Sequence, residues 1–275
     1  MSRPGLAFTL GILLAVAGPR SAAGQSGRPG ELVTDRPDFT ESAEVVAPGW
    51  LQLETGFETV RYSEQGVQTS VNSAPLPLFR LGLSKRLELR FGGVSYVWQR
   101  ERAGGGHRGR IGGVADLEIG AKIKLAEEGS SRPALAVIPL LILPTGSEPV
   151  SGSSYDPGIV LAWAKGLPLG FAAGGNVGLA AASDERGRFL EKAASVSVSR
   201  AIAPRGVAGF LETYLIGPDG RGGRYAWVVT SGVTAPLGRD AQLDFYLARS
   251  MRGPLAYWAF GAGFVFRVPV GLPRR

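Results

Sequence analysis

Apolar and polar residues alternate one by one through most of this chain, in segments of about ten residues, and a period of two admits β-strands rather than helices. Leu51, Leu53, Thr55 and Phe57 alternate with Gln52, Glu54, Gly56 and Glu58. Leu117, Ile119, Ala121, Ile123 and Leu125 alternate with Asp116, Glu118, Gly120, Lys122 and Lys124. Toward the C-terminus Trp258, Phe260, Ala262, Phe264 and Phe266 alternate with Tyr257, Ala259, Gly261, Gly263 and Val265. One face is apolar and aromatic; the other carries charges and glycines. In a soluble sandwich the apolar face turns inward, whereas in a membrane barrel it meets lipid and the polar face lines the lumen. Alternation alone fits both.

Segment and loop lengths separate the two. Twelve strands are predicted, over about 49–63, 67–83, 86–100, 110–126, 133–143, 156–166, 169–183, 189–203, 206–216, 224–236, 239–249 and 254–268. Many exceed the five or six residues usual in soluble strands and approach the roughly ten needed to cross a tilted bilayer path. The number is even, as in bacterial single-chain barrels. Every second connection is compact, as at Ser84-Lys85, Leu167-Pro168, Pro204-Arg205 and Leu237-Gly238, while 101–109, 144–155 and 217–223 are long. Short periplasmic turns and long outer loops are the barrel pattern. Arg100, Arg102, Arg108, Arg110, Arg186, Arg188, Arg221, Arg224, Arg249 and Arg252 all fall at the ends assigned outside. There they suit either lipid phosphate or plain solvent. Pro75, Pro77 and Pro139 interrupt segments read as strands, and Gly92-Gly93 reads as a bulge after which the apolar parity passes to Val94, Tyr96 and Trp98.

The expected layout is a cleaved signal peptide over 1–24, a periplasmic lead-in over 25–48, the barrel over 49–268 and a tail over 269–275. Leu6 to Val16 is an h-region, too short to span as a helix, and Ala22 and Gly24 fit a cleavage site. No later run of about 20 apolar residues occurs, so a membrane protein made of this chain must be a closed barrel. The chain has no cysteine, which excludes a lipoprotein anchor and disulfide staples. Its net charge of +7 falls to +5 once Arg3 and Arg20 leave with the signal peptide. Outer-membrane lipid and lipopolysaccharide are nearer anionic partners for an exported protein than nucleic acid, which is not expected. The expected location is the outer membrane of a Gram-negative-type bacterium.

Little points to catalysis. His107 is the only histidine and lies in a Gly/Arg-rich loop, unsuited to orienting an imidazole beside a nucleophile. No cofactor motif and no metal constellation is present. Asp35, Asp38 and Glu41 recur every third residue, but three carboxylates fall short of the six to eight oxygens calcium takes. A polar lead-in packed at or inside the periplasmic mouth is the better reading of them. The charges on the lumen parity are Glu54, Glu58, Glu88, Arg90, Asp116, Glu118, Lys122, Lys124, Glu212 and Asp244. They either line a pore and set its selectivity or form a salt-bridged network that fills it.

Thr34-Asp35-Arg36-Pro37-Asp38-Phe39-Thr40-Glu41-Ser42, followed by Pro48-Gly49 and Gln52-Leu53-Glu54-Thr55-Gly56-Phe57, resembles the outer-membrane transporter family named for the meta-pathway of phenol degradation. Pro144-Thr145-Gly146, Glu212-Thr213-Tyr214 and Leu243-Asp244 are similar to it too. Asp35, Arg36, Pro37 and Asp38 carry the motif. The resemblance implies a barrel and a transport role, with no established substrate. One departure stands out. Barrels of this kind often end on an aromatic residue read by the barrel assembly machinery, an expected partner, whereas Phe266 is followed here by Arg267-Val268 and a tail.

The resulting expectation is a twelve-stranded transmembrane β-barrel acting as a channel or transporter for small-molecule solutes, apolar or aromatic ones among them. Two alternatives are a structural or surface-interaction barrel with a plugged lumen and, less favoured, an outer-membrane hydrolase. Parity alone also predicts that arginine is costly at lipid-facing Phe245 or Phe260 and cheaper at lumen-facing Gly261 if the lumen is wet.

Overall fold

The computed structural model describes residues 30–103, 108–152, 154–184 and 186–271. The segment 1–24 expected to be a signal peptide, the Gly104–Gly106 run and His107 lie outside the described residues. The strands are β1 (Trp50–Glu64), β2 (Val67–Ala74), β3 (Leu78–Ser84), β4 (Leu87–Gly93), β5 (Tyr96–Arg102), β6 (Arg108–Val114), β7 (Leu117–Ala126), β8 (Ala134–Leu143), β9 (Asp156–Gly166), β10 (Phe171–Asp184), β11 (Gly187–Ala201), β12 (Ala208–Gly217), β13 (Ala226–Pro236), β14 (Ala241–Arg252) and β15 (Tyr257–Pro269). All pair antiparallel in one sheet. β15 returns to β1 from Trp50↔Pro269 to Tyr62↔Tyr257 and closes it. β2/β3, β4/β5 and β6/β7 are halves of single crossings, so the barrel has twelve.

Three expected strands are therefore broken, at one level of the wall. Pro75 and Pro77 cannot donate to a ladder and separate β2 from β3, where Leu76 N donates to Gly56 O at 3.0 Å. Gly93, at φ +84°, separates β4 from β5. Val94 N then donates to Asp116 O at 3.2 Å and Ala115 N to Ser95 O at 2.8 Å. Outward parity passes from Phe91 to Tyr96 across this break, as the Gly92-Gly93 bulge suggests. Pro139 instead stays inside β8. The β7–β8 ladder runs from Leu117↔Leu143 to Gly120↔Leu140 and resumes in the same register at Ile123↔Val137, with the two rungs at the proline missing. At the C-terminus β15 runs past Phe266 to Pro269, so the strand ends on the β1 side chain Trp50 rather than on its last aromatic.

The barrel inverts the burial of a soluble protein. Phe245 is 53 % exposed, while Asp244 before it is 0 % exposed. Arg80, Lys122, Glu54, Glu88 and Glu212 are among the largest fully buried side chains, residues that in water-soluble domains sit outside unless paired. Apolar side chains cover the outer surface of a sheet without free edges, which is the surface of a transmembrane barrel. The protein is an outer-membrane β-barrel of the Gram-negative type.

Phe245→Arg should destabilise the inserted barrel by about 2–4 kcal/mol, because it puts a charge against hydrocarbon near mid-strand. Urea titration of the heat-modifiable band in SDS gels measures it, and a loss under about 1 kcal/mol would refute the assigned outer face. Gly261 is not the tolerant control that parity suggested. A Cβ there would collide with the Tyr246 ring and approach Phe57 O to 2.8 Å, so arginine at Gly261 is disfavoured by space rather than by lipid.

Candidate functional site

Pro37 and Pro48 keep the lead-in from coiling into a helix, and its backbone polar groups must find partners elsewhere. They find them inside the barrel. Residues 30–48 enter at the end of the barrel that carries the Leu237-Gly238 turn, where Arg267 on β15 donates to Gly30 O at 2.6 Å and to Glu31 O at 3.3 Å. The segment rises into the lumen, turns, and returns to β1 through Gly49, whose N donates to Gly82 O at 2.9 Å. Asp35 and Ser42 tie its two limbs together: Ser42 Oγ donates to Asp35 Oδ1 at 2.7 Å.

The wall supplies the partners in order around its circumference. On β1, both carboxylate oxygens of Glu54 accept from Asp35 N, at 3.0 and 2.9 Å. On β3, Arg80 reaches Glu54 at 2.9 Å, Glu88 at 2.8 Å and Asp35 at 3.2 Å, and donates to Glu44 O at 3.0 Å. Glu88 on β4 accepts from Val46 N at 2.6 Å. Arg90 beside it contacts Asp35 and donates to Glu41 at 2.9 Å. Lys122 on β7 donates to both Asp35 oxygens, at 2.8 and 2.7 Å, and Lys124 to Glu44 at 2.5 Å. Asn176 on β10 exchanges bonds with the Glu41 backbone, 2.5 Å from N and 3.1 Å to O. Glu212 on β12 accepts from Phe39 N and Thr40 N at 2.9 and 2.7 Å. Asp244 on β14 holds the Arg36 guanidinium by two bonds, 3.2 and 3.0 Å. Glycines make room: a Cβ on Gly56 or Gly263, cross-strand partners of one another, would strike that guanidinium.

Electrostatics divide the insert's carboxylates. Burial alone would favour the neutral form of Asp35, but Arg80, Lys122 and Arg90 outweigh it and hold the group well below the ordinary carboxylate range. Asp38 has no such cations. Burial, and then repulsion from the Glu212 carboxylate, push it well above that range against a hydrogen bond from Ser197. One of its oxygens, Oδ1, is buried without a hydrogen-bond partner. Asp35 and Glu41 thus share Arg90 and Lys122, while Asp38 lies beside Glu212 and Ser197, so the three do not converge on a metal cation. Among the described residues no group of three or more metal-ligating side chains is placed to hold a metal.

Of the ten charges expected on the lumen parity, Glu54, Glu58, Glu88, Arg90, Glu118, Lys122, Lys124, Glu212 and Asp244 sit on the inner face of the wall. Seven of them bond to the insert. Glu58 instead receives the hydroxyl of Tyr246, and Glu118 lies opposite Gly92. Asp116 sits in the break before β7 and accepts from Gly146 N at 2.8 Å and Gly152 N at 2.7 Å, pinning the 144–155 loop to the wall.

Outward of this charged layer the inner wall turns apolar. Val60, Tyr214, Val228, Ala248, Tyr257 and Ala259 pack on one side, Ile138, Leu140, Ile142, Val160 and Ala162 on the other. Phe39, at the tip of the insert, stacks on Tyr214 with ring centroids 4.2 Å apart. The hydroxyls of Tyr214 and Tyr257 bond to one another.

Residues 34–268 match the family model described as "Putative MetA-pathway of phenol degradation". The chain belongs to that family. The match begins at Thr34, so the family's extent takes in the insert as well as the barrel. Among solved structures, an outer membrane channel from Pseudomonas putida F1 is similar at TM-score 0.60 and 14 % identity, over 82 % of this chain and 98 % of that one. The β domain of the Bordetella autotransporter BrkA is similar at TM-score 0.50 and 17 % identity, over 80 % and 100 %. No curated protein matches. At these identities the likeness is one of fold, and it gives this family member the barrel architecture found in outer-membrane channels. Within the matched residues, Asp35 and Arg36 carry ion pairs from the insert to the wall.

Sequence reasoning missed Arg80, which contacts three of the network's carboxylates, as many as Arg90 does. It was hidden because Pro75 and Pro77 disrupt the predicted strand over 67–83. The signal was nonetheless present in Phe79, Leu81 and Leu83 alternating with Arg80 and Gly82. Asn176 and Gln52 were missed because neutral amides do not stand out on a lumen face rich in glycine and serine.

Proposed function

We propose that this protein is an outer-membrane channel for small solutes, apolar or aromatic ones among them, closed at its periplasmic half by its own N-terminal insert. The layered lumen carries the reading: an apolar, aromatic outer half above a charged inner half in which seven wall groups bond to the insert. A solute entering from outside passes Asp156 and Glu191 near the mouth and then meets Tyr214, Tyr257 and the Phe39 ring before the charged layer that binds the insert, and stacking on such rings favours flat apolar molecules. The Glu54, Glu88, Arg90, Lys122, Glu212 and Asp244 side chains would line the path only once the insert moves.

Liposome swelling tests this with a neutral aromatic diol and an aliphatic polyol of similar size. The expected result is faster entry of the aromatic, relative to protein-free liposomes, and loss of that preference in the Tyr214→Ser/Tyr257→Ser variant. A second reading, a structural barrel with a plugged lumen, is favoured by the insert's bonds to wall strands all around the barrel. It predicts no solute entry above protein-free liposomes, even after the insert is displaced.

A further inference from the structure

Strand register places four arginines on one line around the outside of the barrel. Arg249 on β14 faces Trp258 on β15, which faces Arg61 on β1. Arg61 faces Ser70 on β2, Ser70 faces Arg100 on β5, and Arg100 faces Arg110 on β6. Directly opposed residues share a face. Here it is the outer face, because one step inward along the same strands lie Leu247, Phe260, Thr59, Asn72 and Trp98. The arginines therefore sit just above the lipid-facing belt, at the level where headgroups begin.

Adjacent strands are about 4.8 Å apart, so Arg100 and Arg110 are neighbours, and Arg249, Arg61 and Arg100 follow at intervals of roughly 10 Å. Arg61, Arg100 and Arg110 are exposed. Arg249 is held with its guanidinium 4.7 Å above the Trp258 ring. Among the described residues none of the four is paired to an acid, and the next row outward adds Ser63, Gln68 and Arg102 rather than a carboxylate. Other arginines differ: Arg188 meets Asp156 at 3.2 Å and Arg267 meets Asp240 at 2.8 Å. An unneutralised row of planar, bidentate donors above hydrocarbon complements a lipid carrying phosphates at its headgroup.

We propose that this line binds the two phosphates of lipid A in the outer leaflet, Arg100 and Arg110 gripping one and Arg61 and Arg249 the other. Ser70 lies between the two pairs, placed against the sugar, and Trp258 lies between Arg249 and Arg61.

The full-length protein in detergent is titrated with bisphosphoryl lipid A, dephosphorylated lipid A and phosphatidylglycerol, with bound lipid counted by native mass spectrometry. Bisphosphoryl lipid A should bind at least about tenfold more tightly than either other lipid. Arg61→Gln/Arg100→Gln/Arg110→Gln/Arg249→Gln should erase the difference, while Arg186→Gln/Arg221→Gln/Arg224→Gln in the loops should keep it. If the fourfold variant does not insert, Arg100→Gln/Arg110→Gln carries the test and should make mono- and bisphosphoryl lipid A bind equally. Equal binding of dephosphorylated lipid A or phosphatidylglycerol to the native protein, or undiminished preference in the line variants, would overturn the assignment.

Discussion

Leucine in place of Gly263 is expected to turn a closed barrel into a conducting one. Gly263 pairs with Gly56 across β1 and β15 and with Asp244 across β14. The Arg36 side chain lies over this trio, with its guanidinium on Asp244 at 3.0 Å. A Cβ at Gly263 already occupies the position of that guanidinium, so a leucine evicts it. Breaking a buried ion pair costs about 3–5 kcal/mol because the remaining charge is left uncompensated. Here the cost falls on the insert alone. The ladder between β14 and β15 needs no side chain at Gly263, and water entering behind the displaced insert can hydrate Asp244. A bias of that size changes the population of the displaced state roughly a hundredfold or more. Single-channel recording in a planar bilayer should show rare, brief openings in the native protein and sustained current in Gly263→Leu. Adding Arg36→Ala to Gly263→Leu should change little, since both remove one interaction. A Gly263→Leu barrel that inserts, keeps its heat-modifiable mobility and carries no current would mean that the insert is held without Arg36.

The crossings were legible because lipid and lumen impose opposite polarity on successive residues, and that signal survives in a single sequence. It fails where backbone chemistry interrupts the ladder. At Pro75-Pro77, Gly93 and Ala115-Asp116 a strand drawn as continuous is two halves, and the coincidence of the three breaks at one level depends on register, which alternation does not encode. The lumen face of Glu54, Lys122, Glu212 and Asp244 was equally legible, but their partners were not. Asp35 and Lys122 lie 87 positions apart and Arg36 and Asp244 lie 208 apart. Only the closed sheet and the returning lead-in bring them together. The same holds for Gly261: parity correctly turns it inward, yet the Tyr246 ring over it is a fact of packing.

Arg80→Leu should release the insert by a second route and expose the selectivity of the path beneath. Arg80 is fully buried and bonds Glu54 and Glu88 on the wall, Asp35 on the insert and the carbonyls of Val33 and Glu44. Leucine keeps much of the volume and removes the charge, leaving three carboxylates with weaker compensation, a loss again of about 3–5 kcal/mol. Lysine restores the charge but cannot reproduce a guanidinium fork that serves three carboxylates and two carbonyls, so Arg80→Lys should fall between native and leucine in open time. Once open, the Arg80→Leu path carries Glu54, Glu88, Glu212 and Asp244 with one cation fewer. Reversal potentials under a salt gradient should then favour cations. The outer arginines contribute little to that preference, because salt screens charges beyond about 8–10 Å. Glu212→Gln and Asp244→Asn in the Arg80→Leu background should lower the cation/anion permeability ratio without closing the barrel. An Arg80→Leu protein that conducts with a ratio indifferent to both substitutions would show that the current avoids this layer. One that remains closed would show that the insert is fixed by its backbone bonds to Asn176 and Glu212 rather than by the ion network.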